Sequence, residues 1–238
     1  AAHPEAKWRI ALVHKNVFSG SGHQEDEETP LFRETMLPIF KDCEIDLVLQ
    51  GHDHCYEIIG PVNPDTRTPI LDAITDVEEV PVNMVNNMTG KKGGTFRVDD
   101  GTLYFIGATC GTKRYNPNHK LTMEADYEKH KVENYYDLFT GMFGQPGRPS
   151  YSSFTVDGNT ITVNSYKVYK DIDPVLFNTF YIKRTKEHNS GDKQGPISLE
   201  QLIQENGTAK IIYDGSMFIV RENIAYNALG QIVFDKRN

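Results

Sequence analysis

Apolar residues in this chain fall in short runs separated by polar stretches bearing Gly and Pro, the rhythm of a strand-rich fold with little helix. The run 8–13 (Trp8-Arg9-Ile10-Ala11-Leu12-Val13) and the run 45–49 (Ile45-Asp46-Leu47-Val48-Leu49) have the length and β-branched content of buried strands. Between them, Thr29-Pro30 predicts a helix start, with Thr as the N-cap and Pro at the first helical position. Residues 31–40 then carry Leu31, Phe32, Thr35, Met36 and Ile39 at helical spacing. A strand-helix-strand unit of this kind crosses over right-handed in nearly every case. Both strand ends therefore open on the same edge of one sheet.

Beyond that unit the pattern is mostly extended. Residues 60–80 are polar and Pro-rich and predict a long loop. Short strands are predicted over 80–85, 95–98 and 102–106, with turns at Lys91-Lys92-Gly93-Gly94 and Asp99-Asp100-Gly101. Residues 121–143 have only weak helical periodicity and predict an irregular or helical excursion. A hairpin is predicted from 152–156 and 160–169 across Asp157-Gly158-Asn159. Residues 188–195 have the composition of a linker, and Ser198-Leu199-Glu200-Gln201 is a capping-box pattern opening a short helix. Strands over 209–213, 216–221 and 226–234 close the chain. The expected organisation is a larger α/β, strand-rich domain over 1–188 and a small β-rich module over 196–238.

Composition mainly excludes. The net charge of −8 argues against a nucleic-acid surface, which would need a basic patch. It leaves phosphate chemistry open, because bound divalent ions supply local positive charge. No apolar run approaches the roughly twenty residues that a membrane span requires. The three cysteines show no Cys-x-x-Cys spacing and make no disulfide framework, and Cys55 fits a small buried strand residue.

The candidate chemistry sits at the two strand ends. Gly51-His52-Asp53-His54 follows the 45–49 strand directly, where ligands usually bind in α/β folds. Histidines two apart on an extended segment point the same way, so His52 and His54 can face one site, while Asp53 points away and is not a ligand. The 8–13 strand ends in His14, and His23 follows after the Gly-rich stretch Ser19-Gly20-Ser21-Gly22. The acidic run Glu25-Asp26-Glu27-Glu28 suits the start of the following helix, complementing its dipole; its alternative role is a metal or substrate gate.

This order resembles the C-terminal half of the calcineurin-like metallophosphoesterases, and within them the purple acid phosphatase-like branch. The resemblance rests on the Trp8-led strand ending in His14, the loop His23 and Gly51-His52-Asp53-His54-Cys55-Tyr56-Glu57, with a weaker echo through residues 100–106 and Gly111-Thr112-Lys113 to Tyr115. It implies the C-terminal half of the metallophosphoesterase α/β sandwich. It also implies hydrolysis of phosphomonoesters or phosphodiesters by hydroxide generated on a metal, at a dinuclear centre of Zn, Fe or Mn. By the same resemblance His14 and His52 bind one ion, His54 binds the other, and His23 contacts the substrate phosphate or protonates the leaving oxygen.

The motifs that the family's first half supplies, Asp-x-His, Gly-Asp-x-x-Asp and Gly-Asn-His-Asp, do not occur: Gly191-Asp192 and Asn118-His119 lack their contexts. Ile58 stands where the branch often has Arg. The resemblance therefore implies a chain that depends on a missing N-terminal half and is inactive alone. Two other readings remain: a non-catalytic binding or structural protein that keeps the fold, and a complete three-histidine metal protein using His14, His52 and His54. The C-terminal residues Lys210, Asp214-Gly215, Ile219-Val220-Arg221 and Tyr226 to Gln231 resemble a small β module of secreted or surface bacterial proteins, which implies an extracytoplasmic home.

Overall fold

A computed structural model describes residues 6–79, 88–117 and 135–188, and the C-terminal strands within 208–213, 216–221, 224–227 and 231–235. The chain divides into two compact units, Ala6–His188 and a second one comprising Ala1–Glu5 with Asn189–Asn238.

The first unit starts with the predicted crossover. Strand β1 (Ile10–Leu12) lies parallel to β2 (Leu47–Leu49), in the register Ile10 to Leu47 and Leu12 to Leu49. Helix α1 (Glu28–Asp42) connects them. Its start differs from the expectation. The N-cap is Glu27, without a side-chain capping bond, and Thr29 lies inside the first turn. The Thr29 hydroxyl instead donates to the carbonyl of His23, 2.8 Å away, and so ties the helix to the preceding loop.

The buried face of α1 also differs. Leu31 and Ile39 are 69% and 47% exposed, while Thr29, Arg33, Leu37 and Phe40 are buried. The loop after β1 decides this. It presents the Val17 carbonyl to the helix, and Arg33 Nε donates to it at 2.8 Å. The Arg33 guanidinium also lies over the rings of Phe18 and Tyr135, at 4.8 and 5.4 Å. Burial pulls the Arg33 pKa down, but not far enough to discharge it.

Strands β3 (Tyr56–Val62), β4 (Ile74–Glu79), β5 (Met88–Arg97), β6 (Thr102–Gly107) and β7 (Met142–Gly144) follow. They are succeeded by β8 (Ser150–Asp157), β9 (Thr160–Lys167) and β10 (Val175–Lys183). The spatial order is β1-β2-β6-β3-β7-β5-β10-β9-β8, with β4 paired on β5. β5 belongs to both layers. Its first residues pair with β7, and its last pair with β10 and β4.

The turn expected at Lys91-Lys92-Gly93-Gly94 is thus a corner inside one strand. It depends on glycine: Gly94 has φ +94°, and a Cβ there would stand 2.3 Å from Val77 Cγ1. β4 occupies part of the stretch expected to be a loop. Its mostly exposed residues form an edge strand, which a polar sequence does not reveal. β7 and a short 3-10 turn (Tyr135–Leu138) occupy the described end of the expected 121–143 excursion. The strand expected over 80–85 and the capping-box helix at Ser198 lie outside the described residues. The Asp157-Gly158 hairpin forms as expected, with Asp157 opposite Thr160.

The strands make a two-layer sandwich with α1 outside it. One core cluster lies between the layers and includes Leu47, Tyr56, Ile58, Phe96, Phe105, Ile161, Val163, Phe180 and Ile182. A second lies under the helix, where Val48, Ile59 and Tyr104 meet Val17, Phe18, Leu37 and Phe40. Within β6, Leu103 and Phe105 join the first cluster and Tyr104 the second, the alternation that strand geometry requires.

Of the stretch 188–195, His188 lies among the described residues. His188 is buried, and its Nε2 bonds the buried Asp46 carboxylate at 3.0 Å, beside Arg184. The second unit holds a four-stranded antiparallel sheet of β11 (Thr208–Tyr213), β12 (Ser216–Arg221), β13 (Ile224–Asn227) and β14 (Ile232–Asp235). Among the described residues, no helix is long and apolar enough to cross a membrane.

Candidate functional site

The parallel pairing of β1 and β2 sets the two histidine segments side by side. Beyond the strands, Val13 N–H donates to Leu49 O and Gly51 N–H donates to His14 O, at 2.9 and 3.1 Å. A Cβ at Gly51 would stand 3.3 Å from the His14 carbonyl and 3.4 Å from its Nδ1, a tight contact that a side chain there would have to displace. His52 follows with φ +68°, a left-handed turn that swings its ring over the strand end. The rings of His14 and His52 meet edge to face, with centroids 5.4 Å apart.

His23 arrives from the other side. Its ring lies over His52 at 3.9 Å, tilted by 32°. Its Nδ1 donates to Asp26 Oδ2 at 2.7 Å. His54 stands apart from this group, stacked on Tyr115 at 4.8 Å, and the edge of Tyr115 meets His23 at 5.2 Å. His54 Nδ1 must carry a proton, because it donates to the Lys113 carbonyl at 3.1 Å. Its Nε2 therefore offers a lone pair. The structure thus gathers His14, His23 and His52 directly and joins His54 through Tyr115. Burial first, then the positive charge that His23 and His14 would carry, holds His52 below its usual pKa, so at neutral pH its imidazole is uncharged.

A buried carboxyl pair holds the His23 loop in place. Asp53 turns inward and accepts hydrogen bonds from Ser19 Oγ, at 2.6 Å, and from Ser21 Oγ. Glu57 is fully buried and accepts the Gly20 N–H at 3.1–3.2 Å. Burial, with the neighbouring Asp53 charge, pushes Glu57 well above the carboxylate range, so it is protonated and hydrogen-bonded to Asp53. Ser21 also caps the 3-10 turn Gly22–Glu25, accepting from His23 N–H. Hydrogen bonds at Ser19, Gly20 and Ser21 thus tie the tetrapeptide Ser19-Gly20-Ser21-Gly22 to Asp53 and Glu57.

Sequence reasoning missed four contributors: Asp26, Tyr115, Glu57 and the serine pair. Asp26 was visible only as one member of an acidic run, of which Glu28 pairs with Lys15 at the helix start. Tyr115 ended the weak echo after Gly111-Thr112-Lys113. Cys55 is buried, its thiol donates to Tyr115 O at 3.1 Å, and burial pushes its pKa far up, so it is no nucleophile.

No protein-family profile matches the chain. It is 30% identical over 105 residues to the uncharacterized protein Rv2577 of Mycobacterium tuberculosis, an alignment covering 42% of this chain and 20% of that protein. It is 38% identical over 62 residues to purple acid phosphatase 3 of Arabidopsis thaliana, covering 26% of this chain and 16% of the plant protein. Among solved structures, purple acid phosphatase PPD1 from yellow lupin seeds is similar over 77% of this chain and 26% of its own length, with a TM-score of 0.45 and 16% identity. The matched segments thus span about a fifth of the curated relatives' length.

Proposed function

We propose that this chain carries the histidine side of a metal-dependent phosphoester hydrolase site, acting on small phosphomonoesters or phosphodiesters. The observation that carries the reading is the meeting of His14 and His52 at adjacent parallel strand ends with His23 laid over them. The partial sequence likeness to a purple acid phosphatase supports it. The donor set suits the ions. His52 is held uncharged, and His54 is held in the tautomer that leaves Nε2 available. Uncharged imidazoles are ligands for Zn, Fe and Mn.

In this reading His14 and His52 hold one ion and His54 holds the second. The ions would polarise the phosphoryl oxygens and lower the pKa of water. The residues of the chain do the rest. His23, with Nδ1–H committed to Asp26, has Nε2 left to exchange a proton with the leaving oxygen. Asp53 and Glu57 keep the His23 loop in register with His52. Tyr115 stacks on His54 and limits its rotation.

The test is calorimetric binding of inorganic phosphate to the chain with and without Zn²⁺ or Mn²⁺. Phosphate should bind only when metal is present, and His14→Ala and His54→Ala should each abolish it. Equal binding without metal, or in both variants, would overturn the reading.

A further inference from the structure

We infer that His23, Asp26 and His52 form a single-ion site for a borderline transition metal of the Zn²⁺ class, built entirely within this chain. One ligand atom from each lies within 4.8 Å of the others. The reading goes beyond the hydrolase proposal, since it uses a carboxylate that proposal leaves as an orienting group and omits His14 and His54.

Local geometry brings the three together before any ion arrives. In a 3-10 turn, residues three apart eclipse one another. His23 and Asp26 stand at that spacing on the turn Gly22–Glu25, with Asp26 as its C-cap, so both side chains project to the same side. Asp26 N–H donates to His23 O at 3.2 Å, and Thr29 Oγ1 donates to the same oxygen at 2.8 Å, which fixes the turn. Ser21 ties its other end to Asp53, the residue after His52. The third ligand is thus held against the first two through one short hydrogen-bonded path.

Ligand atoms about 2.1 Å from a common ion stand at most about 4.2 Å apart. At the tetrahedral angle that separation is about 3.4 Å, so the longest edge of the triangle closes by up to about 1.4 Å. Asp26, whose side chain is 50% exposed, can supply that movement by rotation. Binding replaces the His23 Nδ1–H to Asp26 bond with two metal bonds, and the ring proton moves from Nδ1 to Nε2. Two nitrogens and one carboxylate oxygen leave one position open, the ligand count of an accessible zinc centre. An ion seated there takes His23 out of proton transfer, so the two uses of that residue exclude each other.

The test is titration of the 238-residue chain with Co²⁺ as a spectroscopic probe and then with Zn²⁺, followed by visible absorption and by calorimetry. The first equivalent should give a low-coordinate Co²⁺ spectrum and bind one to one. Asp26→Asn keeps an acceptor for His23 and should weaken that first equivalent at least tenfold, as should His23→Gln and His52→Gln. Glu25→Gln, an exposed member of the same acidic run that lies outside the triangle, should leave it within twofold. If Asp26→Asn binds like the parent while His14→Gln or His54→Gln loses the ion, this inference falls and the phosphoesterase arrangement stands. Absence of any bound ion overturns both. Circular dichroism of each variant at the parent's intensity excludes unfolding as the cause.

Discussion

Removing the Asp53 carboxylate tests whether the buried polar network, and not the apolar core alone, holds the histidine loop. Asp53 accepts from Ser19 Oγ and Ser21 Oγ, and it is the partner of the protonated Glu57. In Asp53→Ala all of these donors are stranded in a buried site. Each orphaned buried donor costs about 1–3 kcal/mol, so the sum is roughly 4 kcal/mol after relief of Asp53's own burial. A domain with about 5–15 kcal/mol to spare would remain folded but much weakened. Asp53→Asn keeps one acceptor, and a rotated serine hydroxyl can receive from its amide, so about 1–2 kcal/mol is expected.

Urea unfolding with a shared slope gives both values. Hydrogen exchange locates them. The amides of Gly20 and His23, bonded to Glu57 and Ser21 Oγ, should lose protection first, while strand amides of β9 and β10 should follow only global unfolding. If Asp53→Ala lies within about 0.5 kcal/mol of the parent, as an ordinary surface change would, the network contributes nothing and the reasoning is refuted.

Two further outcomes follow from groups beside this network. Glu57 is raised well above its unfolded value, so the folded state holds a proton that the unfolded state releases above about pH 4.5. Its contribution is therefore fully present at pH below that value and is lost as pH rises toward the folded pKa; Glu57→Gln should raise neutral-pH stability relative to the parent and flatten this pH slope in urea midpoints, and an unchanged slope would contradict its protonated state. Cys43 and Cys110 are exposed and Cys55 is buried with a raised pKa. A disulfide thiol reagent at pH 8 should thus label Cys43 and Cys110 quickly and Cys55 only on unfolding, with equal labelling of all of them counting against the buried thiol.

Much of the site was legible in the sequence because its signals are local. An apolar run ending in His14, another ending in Gly51-His52-Asp53-His54, and a helix between them are enough to place both ends on one sheet edge, since the handedness of the crossover leaves one arrangement. The same pattern could not say which face of α1 is buried. Arg33 looks like a surface residue until the Val17 carbonyl and the Phe18 and Tyr135 rings are seen to surround it. Nor could it show that the glycines of 93–94 turn a corner within β5, because a turn between strands and a bend within one use the same residues.

By itself, then, the sequence determined the strand-rich class, the crossover unit and the histidine segments, since periodicity, glycine and strand ends act over a few residues. Tertiary structure alone decided that Asp26 comes within ligand distance of His52, that Tyr115, in the loop after β6, stacks on His54, and that Glu57 and Asp53 are enclosed together against the His23 loop. Those contacts join residues remote in the chain through burial and hydrogen bonding, and no local pattern encodes which polar group will be enclosed with which.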